Sequence, residues 1–597
     1  MWRAESKLDT HHENPSVARQ IAIKDELLKY AEIVREVAEG KEIMDVAEFE
    51  DWMRTNFEQM EKIKELMQRL LQSMPGHESF KQKGENVTTD DRSDEPTSEE
   101  TDSETDEKME SVLERAAAFD KGKDYDQLHY RLKKCLMCLS IFPPNVEIER
   151  QVLIYWWIAE GFVWPGPQTT AEEEGERYFD ELLKLEFLHP VYKRRTRGVP
   201  KCMVNPWIRW LLISKARESG MFVFDETGTP SSFEYPRPCL MSNLDNSQQE
   251  KQRERRRRWR HPLRLLQREL QRNSVISLFN LSMKYLNASI QPFSKMKVTT
   301  VAQLGKWRGP GQDDILVENP SFLSNLSLPT SLKYLSLRGV LGIKELPNSI
   351  TELTNLLILD LKNCANMETL NDKIGNLAKL THFNISGCYL VQHMPKGIGS
   401  LHKLEVLKGF VLGFPKDNDS NPCTMSELAQ MQKLRKLGMR VVGKGEISKD
   451  LWEVVSKMSN LVSLAITWCS SSICPPSVPL HLKKLDLRRF PNEPEWINPS
   501  MLEKLRKLYI RGGTLESLPS EEKLNIVELH LQHLHDLQLS WSALQSSFPK
   551  LAYLEIHNCD GVLRDMPKKP RNGDGLLMTI DIDPREIGGS STSPVSD

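Results

Sequence analysis

Three consecutive stretches of 24 residues decide the fold of the second half of this chain. They read LKYLSLRGVLGIKELPNSITELTN at 332–355, LLILDLKNCANMETLNDKIGNLAK at 356–379 and LTHFNISGCYLVQHMPKGIGSLHK at 380–403. Each begins with the pattern L-x-x-L-x-L, with Phe383 and Ile385 replacing the second and third Leu in the third stretch. A fixed period of 20–29 residues with this pattern predicts a leucine-rich-repeat solenoid, in which every coil contributes one short parallel strand.

Less regular coils extend the repeat in both directions, so we predict leucine-rich repeats over 273–585 and a disordered tail at 586–597. Four cysteines fall eight residues after the first apolar residue of their coil, where such repeats place Asn or Cys. We therefore expect these cysteines to be buried and structural: Cys364, Cys388, Cys469 and Cys559.

Strand alternation indicates which side chains face outward on the concave surface, namely those that flank the second and third Leu of each coil. Lys and Arg outnumber Asp and Glu among them in the middle coils, which favours an acidic ligand. The alternative is that these charges only keep the surface soluble, because exposed ion pairs are individually weak. The candidate partner-binding residues are Tyr334, Arg338, Lys362, His382, Lys408, Lys436, Arg440, Lys484, Arg488, Lys507, Tyr509 and Arg511.

The first 110 residues divide into two segments of different composition. Apolar residues at three- and four-residue steps predict a helical region at 1–75. Residues 76–110 have almost no large apolar side chain and an excess of Asp and Glu, so we expect an acidic disordered linker. Its part 90–110 is a candidate ligand within the same chain, and this hypothesis predicts contacts with Lys436, Arg440, Lys484, Arg488, Lys507 and Arg511.

The segment 111–225 shows the pattern of a small, mostly helical domain. In LKKCLMCLSIFPPNVEIERQVLIYWWIAEGF at 132–162, one helical stripe stops at Phe142-Pro143-Pro144 and a second helix occupies Glu147 to Phe162. A third helix leads into a short extended piece, and a strand-like entry precedes a fourth helix. This arrangement predicts a winged-helix domain.

The same block resembles the winged-helix domain of plant intracellular disease-resistance proteins, the nucleotide-binding leucine-rich-repeat family with a helical, coiled-coil-type amino terminus. The matching residues are Leu132-Lys133-Lys134-Cys135, Phe142-Pro143, Ile148, Leu153-Ile154, Trp157-Ile158-Ala159-Glu160-Gly161-Phe162, Tyr178, Leu182 and Leu183. In that family the winged helix is a regulatory module. The resemblance implies a role in plant innate immunity.

The chain departs from the family at the nucleotide-binding module, which in the family precedes this block and here is replaced by the acidic linker. None of the Gly-Lys pairs at 40–41, 122–123, 305–306 and 443–444 is followed by the Ser or Thr of a phosphate-binding loop. Where the family has a nucleotide-sensing Met-His-Asp motif, this chain has Met203-Val204-Asn205. We expect no nucleotide cofactor.

A basic linker is predicted at 226–272, where Arg255 to Arg258 and Arg260 surround Trp259. The run Arg255–Arg260 is typical of a linker helix that leads into the repeats. The alternative interpretation is a nuclear-import or phosphate-binding signal, which would make the protein a nuclear or nucleic-acid-associated regulator.

Composition sets the remaining expectations for this chain of 597 residues. The formal net charge of −3 identifies no partner. The ten scattered cysteines favour a reduced, cytoplasmic setting, with the nucleus as an alternative. We expect no membrane span, because no run of about 18 apolar residues occurs. We expect no metal site, because Cys135-x-x-Cys138 has no second pair.

These features together predict a multidomain chain: an α-helical amino-terminal region, a mostly α winged-helix domain and an α/β leucine-rich-repeat solenoid. No constellation of residues supports catalysis or a small-molecule substrate, so we expect no enzyme. The predicted function is a non-catalytic component of plant innate immunity that binds a pathogen effector or a host protein through its repeats. An inactive, degenerate relative remains an alternative.

Overall fold

The computed structural model describes residues 124–581 except 193–197, 226, 232–236, 242–274, 287–297, 309–311, 318, 320, 327, 414–422, 443–448, 470–477, 492–501, 519–522 and 560–576. The predicted helical region 1–75, the acidic linker 76–110, the Arg255–Arg260 run and the tail 586–597 lie outside these residues. The chain forms two compact units. Among the residues described, one comprises 124–145 together with 204–230, and the other comprises 146–203 together with 231–581.

The described residues contain helices in both units and strands in the second. The helices are α1 (Tyr130–Met137), α2 (Arg150–Glu160), α3 (Ala171–Lys184), α4 (Pro206–Glu218), α5 (Phe322–Asn325), α6 (Asn348–Thr351), α7 (Met425–Leu428), α8 (Lys449–Ser456) and α9 (Trp541–Ser547), with 3-10 helices at Cys138–Ile141, Asp372–Asn376 and Lys396–Ser400. The strands are β1 (Ile148–Glu149), β2 (His189–Val191), β3 (Lys201–Met203), β4 (Cys239–Leu240), β5 (Ser277–Asn280), β6 (Tyr285–Leu286), β7 (Val301–Gln303), β8 (Ile315–Val317), β9 (Tyr334–Ser336), β10 (Val340–Leu341), β11 (Ile358–Asp360), β12 (His382–Asn384), β13 (Val406–Gly413), β14 (Lys436–Val442), β15 (Ser463–Trp468), β16 (Lys484–Phe490), β17 (Lys507–Gly513), β18 (Glu528–Gln532), β19 (Tyr553–His557) and β20 (Leu577–Asp581).

The first unit contains α1, the 3-10 helix that follows it, and α4. Its helices bury apolar side chains at the predicted spacing, including Leu132 and Leu136. A buried arginine joins its loops, because Arg209 donates from Nε to the carbonyl of Phe142 (2.6 Å) and from Nη2 to that of Gly228 (2.7 Å). Burial lowers the pKa of Arg209 to about 10.

The second unit begins with α2, α3 and a small antiparallel sheet in the order β1-β3-β2. A capping box starts α3: the Thr170 hydroxyl accepts from the Glu173 amide (3.2 Å), and the Glu173 carboxylate accepts from the Thr170 amide (2.9 Å). Gly175 lets α3 approach α2 closely, since a Cβ there would lie 2.6 Å from Cγ2 of Ile154. The cap therefore places three consecutive glutamates, Glu172 to Glu174, in the first turn of α3.

The repeats form one parallel sheet of fourteen strands among the described residues, from β4 at one edge to β20 at the other. A second parallel sheet has the order β10-β8-β6. The sheet begins earlier than expected, because β4 lies inside 226–272, a segment predicted as a basic linker. That prediction was wrong for Cys239 and Leu240, since two strand residues are too few to show a period in the sequence.

A continuous apolar core runs through the coils, with the repeated leucines almost fully buried. Cys364 and Cys388 are buried as expected, and each Sγ donates to a carbonyl 27 positions earlier in the chain at 3.1 Å. Cys559 is also buried, but Cys469 is exposed and its prediction was wrong. The reason is that β15 continues to Trp468, whose side chain takes the inward position and turns the next residue outward.

Candidate functional site

The concave side chains predicted from strand alternation stand in aligned rows across the sheet. Parallel pairing of β14 to β19 proceeds without a register shift, so equivalent residues of successive coils face one another. The first row contains Lys436, Ser463, Lys484, Lys507, Glu528 and Tyr553; the second contains Gly438, Ala465, Asp486, Tyr509, His530 and Glu555; the third contains Arg440, Thr467, Arg488, Arg511, Gln532 and His557.

Helix α2 covers the amino-terminal part of this concave face. The ring of Tyr155 meets the rings of Tyr334 and His382 edge to face, at centroid distances of 6.2 and 5.1 Å. Immediately before the helix, Glu149 forms an ion pair with Arg338 (2.6 Å). Tyr334, Arg338 and His382 are consequently buried. This corrects the expectation that these three residues form part of an exposed partner-binding surface.

A signal for this coverage was present in the sequence of α2. All eight residues from Val152 to Ala159 are buried, so the helix is apolar on every side rather than along one stripe. Such a helix must be covered on all sides by protein. The sequence does not indicate what covers it, because the contacting residues lie far away along the chain.

The acidic first turn of α3 reaches the middle of the concave face. Glu172 forms an ion pair with Lys436 (2.8 Å) and accepts a hydrogen bond from Gln151 (3.0 Å), and Glu173 pairs with Arg435. Glu172 is almost completely buried. Burial by itself would raise the pKa of this carboxyl, but Lys436, His382 and Lys408 outweigh it and lower the pKa to about 2. The concave face thus already holds one carboxylate of its own chain.

His382, Lys408 and Lys362 belong to this junction rather than to an open surface. Burial lowers the pKa of His382 to about 4, so the imidazole is neutral at pH 7, with Nε2 3.9 Å from the Glu172 carboxylate. Burial also lowers the pKa of Lys408, and Glu172 partly opposes this effect. Lys362 is half-buried, and burial lowers its pKa as well.

The strands β16 and β17 carry basic side chains that remain accessible. The side chains of Arg488 and Lys507 are each 44% exposed and that of Arg511 is 30% exposed. Asp486 holds Arg488 through two contacts, at 3.1 and 2.8 Å. Lys484 and Arg511 lie over the ring of Tyr509, at 4.4 and 5.4 Å from its centroid. We call the exposed and half-buried concave side chains of β16 to β19 the open concave face.

A buried charged network, which was not predicted, borders the basic side chains of the open concave face. Nδ1 of His530 lies 2.5 Å from Glu555 and Nε2 lies 2.9 Å from Glu528, and all three residues are buried. Tyr509 donates its hydroxyl to Glu528 (2.5 Å), and Lys507 lies 2.7 Å from the same carboxylate. Burial would raise the pKa of Glu528, yet hydrogen bonds from His530, Lys507 and Tyr509 lower it to about 2. The sequence places these groups on the concave side but gives no sign of their pairing across coils.

Met203, Val204 and Asn205, which the family resemblance aligned with a nucleotide-sensing motif, make structural contacts. Met203 ends β3 opposite His189, and Val204 is buried. The Asn205 carbonyl accepts from the Arg209 amide (2.9 Å) at the start of α4. Among the residues that the structure describes, no group of three or more His, Cys, Asp or Glu could hold a metal ion, and no helix is both long and apolar enough to cross a bilayer.

This geometry defines a leucine-rich-repeat protein with winged-helix elements packed on its concave face. Two family models match the chain: "Leucine-rich repeat region" over residues 277–565 and "Disease resistance protein Winged helix domain" over residues 141–211. The matches confirm the class predicted from the period and from the 132–162 block. The chain is thus similar to disease-resistance proteins over 141–211 and to leucine-rich-repeat proteins over 277–565.

Individual relatives carry the same description. Disease resistance RPP13-like protein 4 of Arabidopsis thaliana is 28% identical over 452 residues, which cover 73% of this chain and 49% of that protein. Disease resistance protein RPP13 of Arabidopsis thaliana is 34% identical over 95 residues, or 16% of this chain and 11% of that protein. Disease resistance protein PIK6-NP of Oryza sativa subsp. japonica is 36% identical over 94 residues, or 16% and 9%. The chain spans about half the length of the first relative, and none of the three names refers to a catalytic activity.

Proposed function

We propose that this chain is a non-catalytic component of plant innate immunity that binds protein partners through the open concave face. The observation that carries the proposal is the division of the concave surface. Its amino-terminal part is filled by α2 and α3, whereas Lys484, Arg488, Lys507 and Arg511 remain accessible beyond them. A curved row of repeats that presents such side chains is the usual binding surface of solenoid proteins.

The contact between Glu172 and Lys436 supports an acidic partner, because the same row continues to Lys484 and Lys507. The partner is a pathogen effector or a host protein in the cytoplasm, with the nucleus as an alternative site of action. The acidic segment 90–110 of the same chain competes for the open concave face. Of its 21 residues, eleven are Asp or Glu and two are Lys or Arg.

The experiment compares partners of the full chain in leaf tissue of a plant that lacks the native gene product. Lys484→Glu combined with Arg488→Glu reverses charge on the open concave face. Lys373→Glu combined with Lys403→Glu reverses two exposed charges elsewhere on the repeats and serves as the matched control.

We expect the first variant to lose a co-purifying protein and to lose resistance to a pathogen, while the control keeps both. The same partners and the same resistance in all three proteins would contradict the proposal.

A further inference from the structure

An exposed pair of apolar side chains lies in the loop that follows Cys388. Tyr389 is 72% exposed and Leu390 is 48% exposed, although the neighbouring Val391 is fully buried. Folding of the repeats therefore does not require the two side chains to be apolar. Adjacent exposed apolar groups of this kind mark interaction sites more often than isolated ones do.

The loop is held in place by one arginine of the third concave row. Arg440 donates to the carbonyls of Cys388 (3.3 Å), Tyr389 (3.2 Å) and Val391 (2.5 Å), and its guanidinium lies 5.5 Å from the centroid of the Tyr389 ring. The exposed pair is thus presented in a fixed position. Binding to a surface that is ordered beforehand costs less conformational entropy than binding to a mobile one.

Two further guanidinium groups, those of Arg488 and Arg511, stand in the same concave row as Arg440. Arg488 lies close enough to Tyr389 for the two groups to interact electrostatically, and Arg511 is the next residue of the same row. Asp486 contacts Arg488 at 2.8 Å and Arg511 at 3.9 Å. With Arg440 included, three positive charges face one negative charge, so this part of the surface is complementary to an acidic segment.

We infer that Tyr389, Leu390, Arg440, Arg488 and Arg511, which we call the Tyr389 patch, anchor an acidic segment of a partner protein that carries a large apolar side chain between its carboxylates. The inference rests on the proposed function and specifies the chemistry of the partner. Tyr and Arg dominate the energetics of protein interfaces, since each combines a large apolar area with polar contacts. The apolar side chain packs on Tyr389 and Leu390, and the flanking carboxylates meet the guanidinium groups.

The test uses the full chain and fluorescent twelve-residue peptides as probes, with fluorescence anisotropy at low and moderate salt. One probe is a run of Glu with a central Phe, a second replaces Phe by Ala, and a third replaces every Glu by Lys. We expect the Phe probe to bind about tenfold more tightly than the Ala probe, and the Lys probe not to bind.

Tyr389→Ala combined with Leu390→Ala should reduce the affinity for the Phe probe about tenfold and leave the Ala probe unaffected. Arg488→Gln should weaken both acidic probes. Tyr285→Ala removes a comparably exposed tyrosine from another coil and should change nothing. Equal affinities for the Phe and Ala probes, or full binding to the Tyr389 variant, would refute the inference.

A peptide of residues 90–110 tests whether the chain's own acidic segment, rather than an external partner, occupies the Tyr389 patch. Its only large apolar side chain is Met109, which follows the positively charged Lys108 at the end of the segment, so we expect its binding to be weak, dependent on salt and insensitive to Tyr389→Ala. Binding that requires Tyr389 would identify the chain itself as the occupant and overturn the inference of an external partner. If the Tyr389 variant keeps the leaf partner that the Lys484 and Arg488 variant loses, the proposed function stands and the inference fails.

Discussion

Replacing Glu172 by Gln should release α3 from the concave face. The Gln side chain has the same shape as a protonated Glu side chain. The free-energy cost of Glu172→Gln is therefore about the free energy by which the site favours ionised over protonated Glu172. The pKa falls from 4.5 to about 2, and one pKa unit corresponds to about 1.4 kcal/mol, which gives about 3 kcal/mol. Loss of one partner from a buried ion pair has a similar typical cost. The substitution destabilises the state in which α3 is packed on the concave face relative to the state in which α3 is released.

Hydrogen exchange of peptides from α3, measured by mass spectrometry, reports this opening directly. A loss of about 3 kcal/mol corresponds to roughly hundredfold faster exchange of the α3 amides. Glu181→Gln is the matched control: it lies on the same helix and pairs at 3.5 Å with an exposed Arg177, so exchange should change less than about threefold. Exchange in the Glu172 variant that also stays within threefold of the wild type would refute the role assigned to the Glu172–Lys436 contact.

Three further predictions concern other buried positions. His382 has a folded-state pKa of about 4, below its ordinary 6.5, so between these pH values the unfolded chain binds a proton that the folded chain does not, and stability is lost as pH falls from 6.5 to 4. His382→Gln should therefore make the midpoint of urea unfolding less dependent on pH across that range. An unchanged pH dependence would exclude this residue as the cause. Gly397→Ala should lower the melting temperature, because a Cβ there would lie 2.1 Å from a backbone oxygen of the preceding coil. Gly438→Ala is the control and should leave the melting temperature unchanged, since a Cβ there would have no neighbour closer than 3.6 Å. Equal effects of the two substitutions would contradict the stacking geometry. Glu555→Gln should destabilise the carboxy-terminal coils by about 1–3 kcal/mol, since His530 keeps Glu528 but loses its hydrogen bond to the Glu555 carboxylate. Near-ultraviolet circular dichroism during guanidinium unfolding measures the change, and an unchanged stability would show that this contact is not stabilising.

The repeats could be predicted because their information is local. A period of 24 residues sets the strands, and alternation within each strand assigns Leu335 to the core and Lys484 to the concave side. The winged-helix elements were likewise predictable from helical spacing and from the Phe-Pro stop. Cys469 escaped the prediction because the length of β15, rather than the count from the first Leu, decides which side chain points inward.

The covered half of the concave face could not be predicted, because its contacts join distant parts of the chain. Glu172 and Lys436 are 264 positions apart, and neither residue differs in type from a solvent-exposed Glu or Lys. The pair joins α3 to the repeats because Glu172 is buried there, and this burial results from the packing of α2 and α3 on the concave face. The same holds for His530, Glu528 and Glu555. Their residue types and positions in the sequence do not distinguish them, and they come together only when the coils stack.

Because α3 covers the middle strands, it limits the length of a peptide that the concave face can contact. The four strands β16 to β19, at a spacing of about 4.8 Å, span about 14 Å, and Arg440 on β14 extends the third row to about 24 Å; an extended peptide advances about 3.3 Å per residue. A ligand that crosses this surface therefore contacts it with about four to seven residues. Segments of that length recur in many unrelated proteins, so the proposed binding role would gain its selectivity from a second point of contact with the partner.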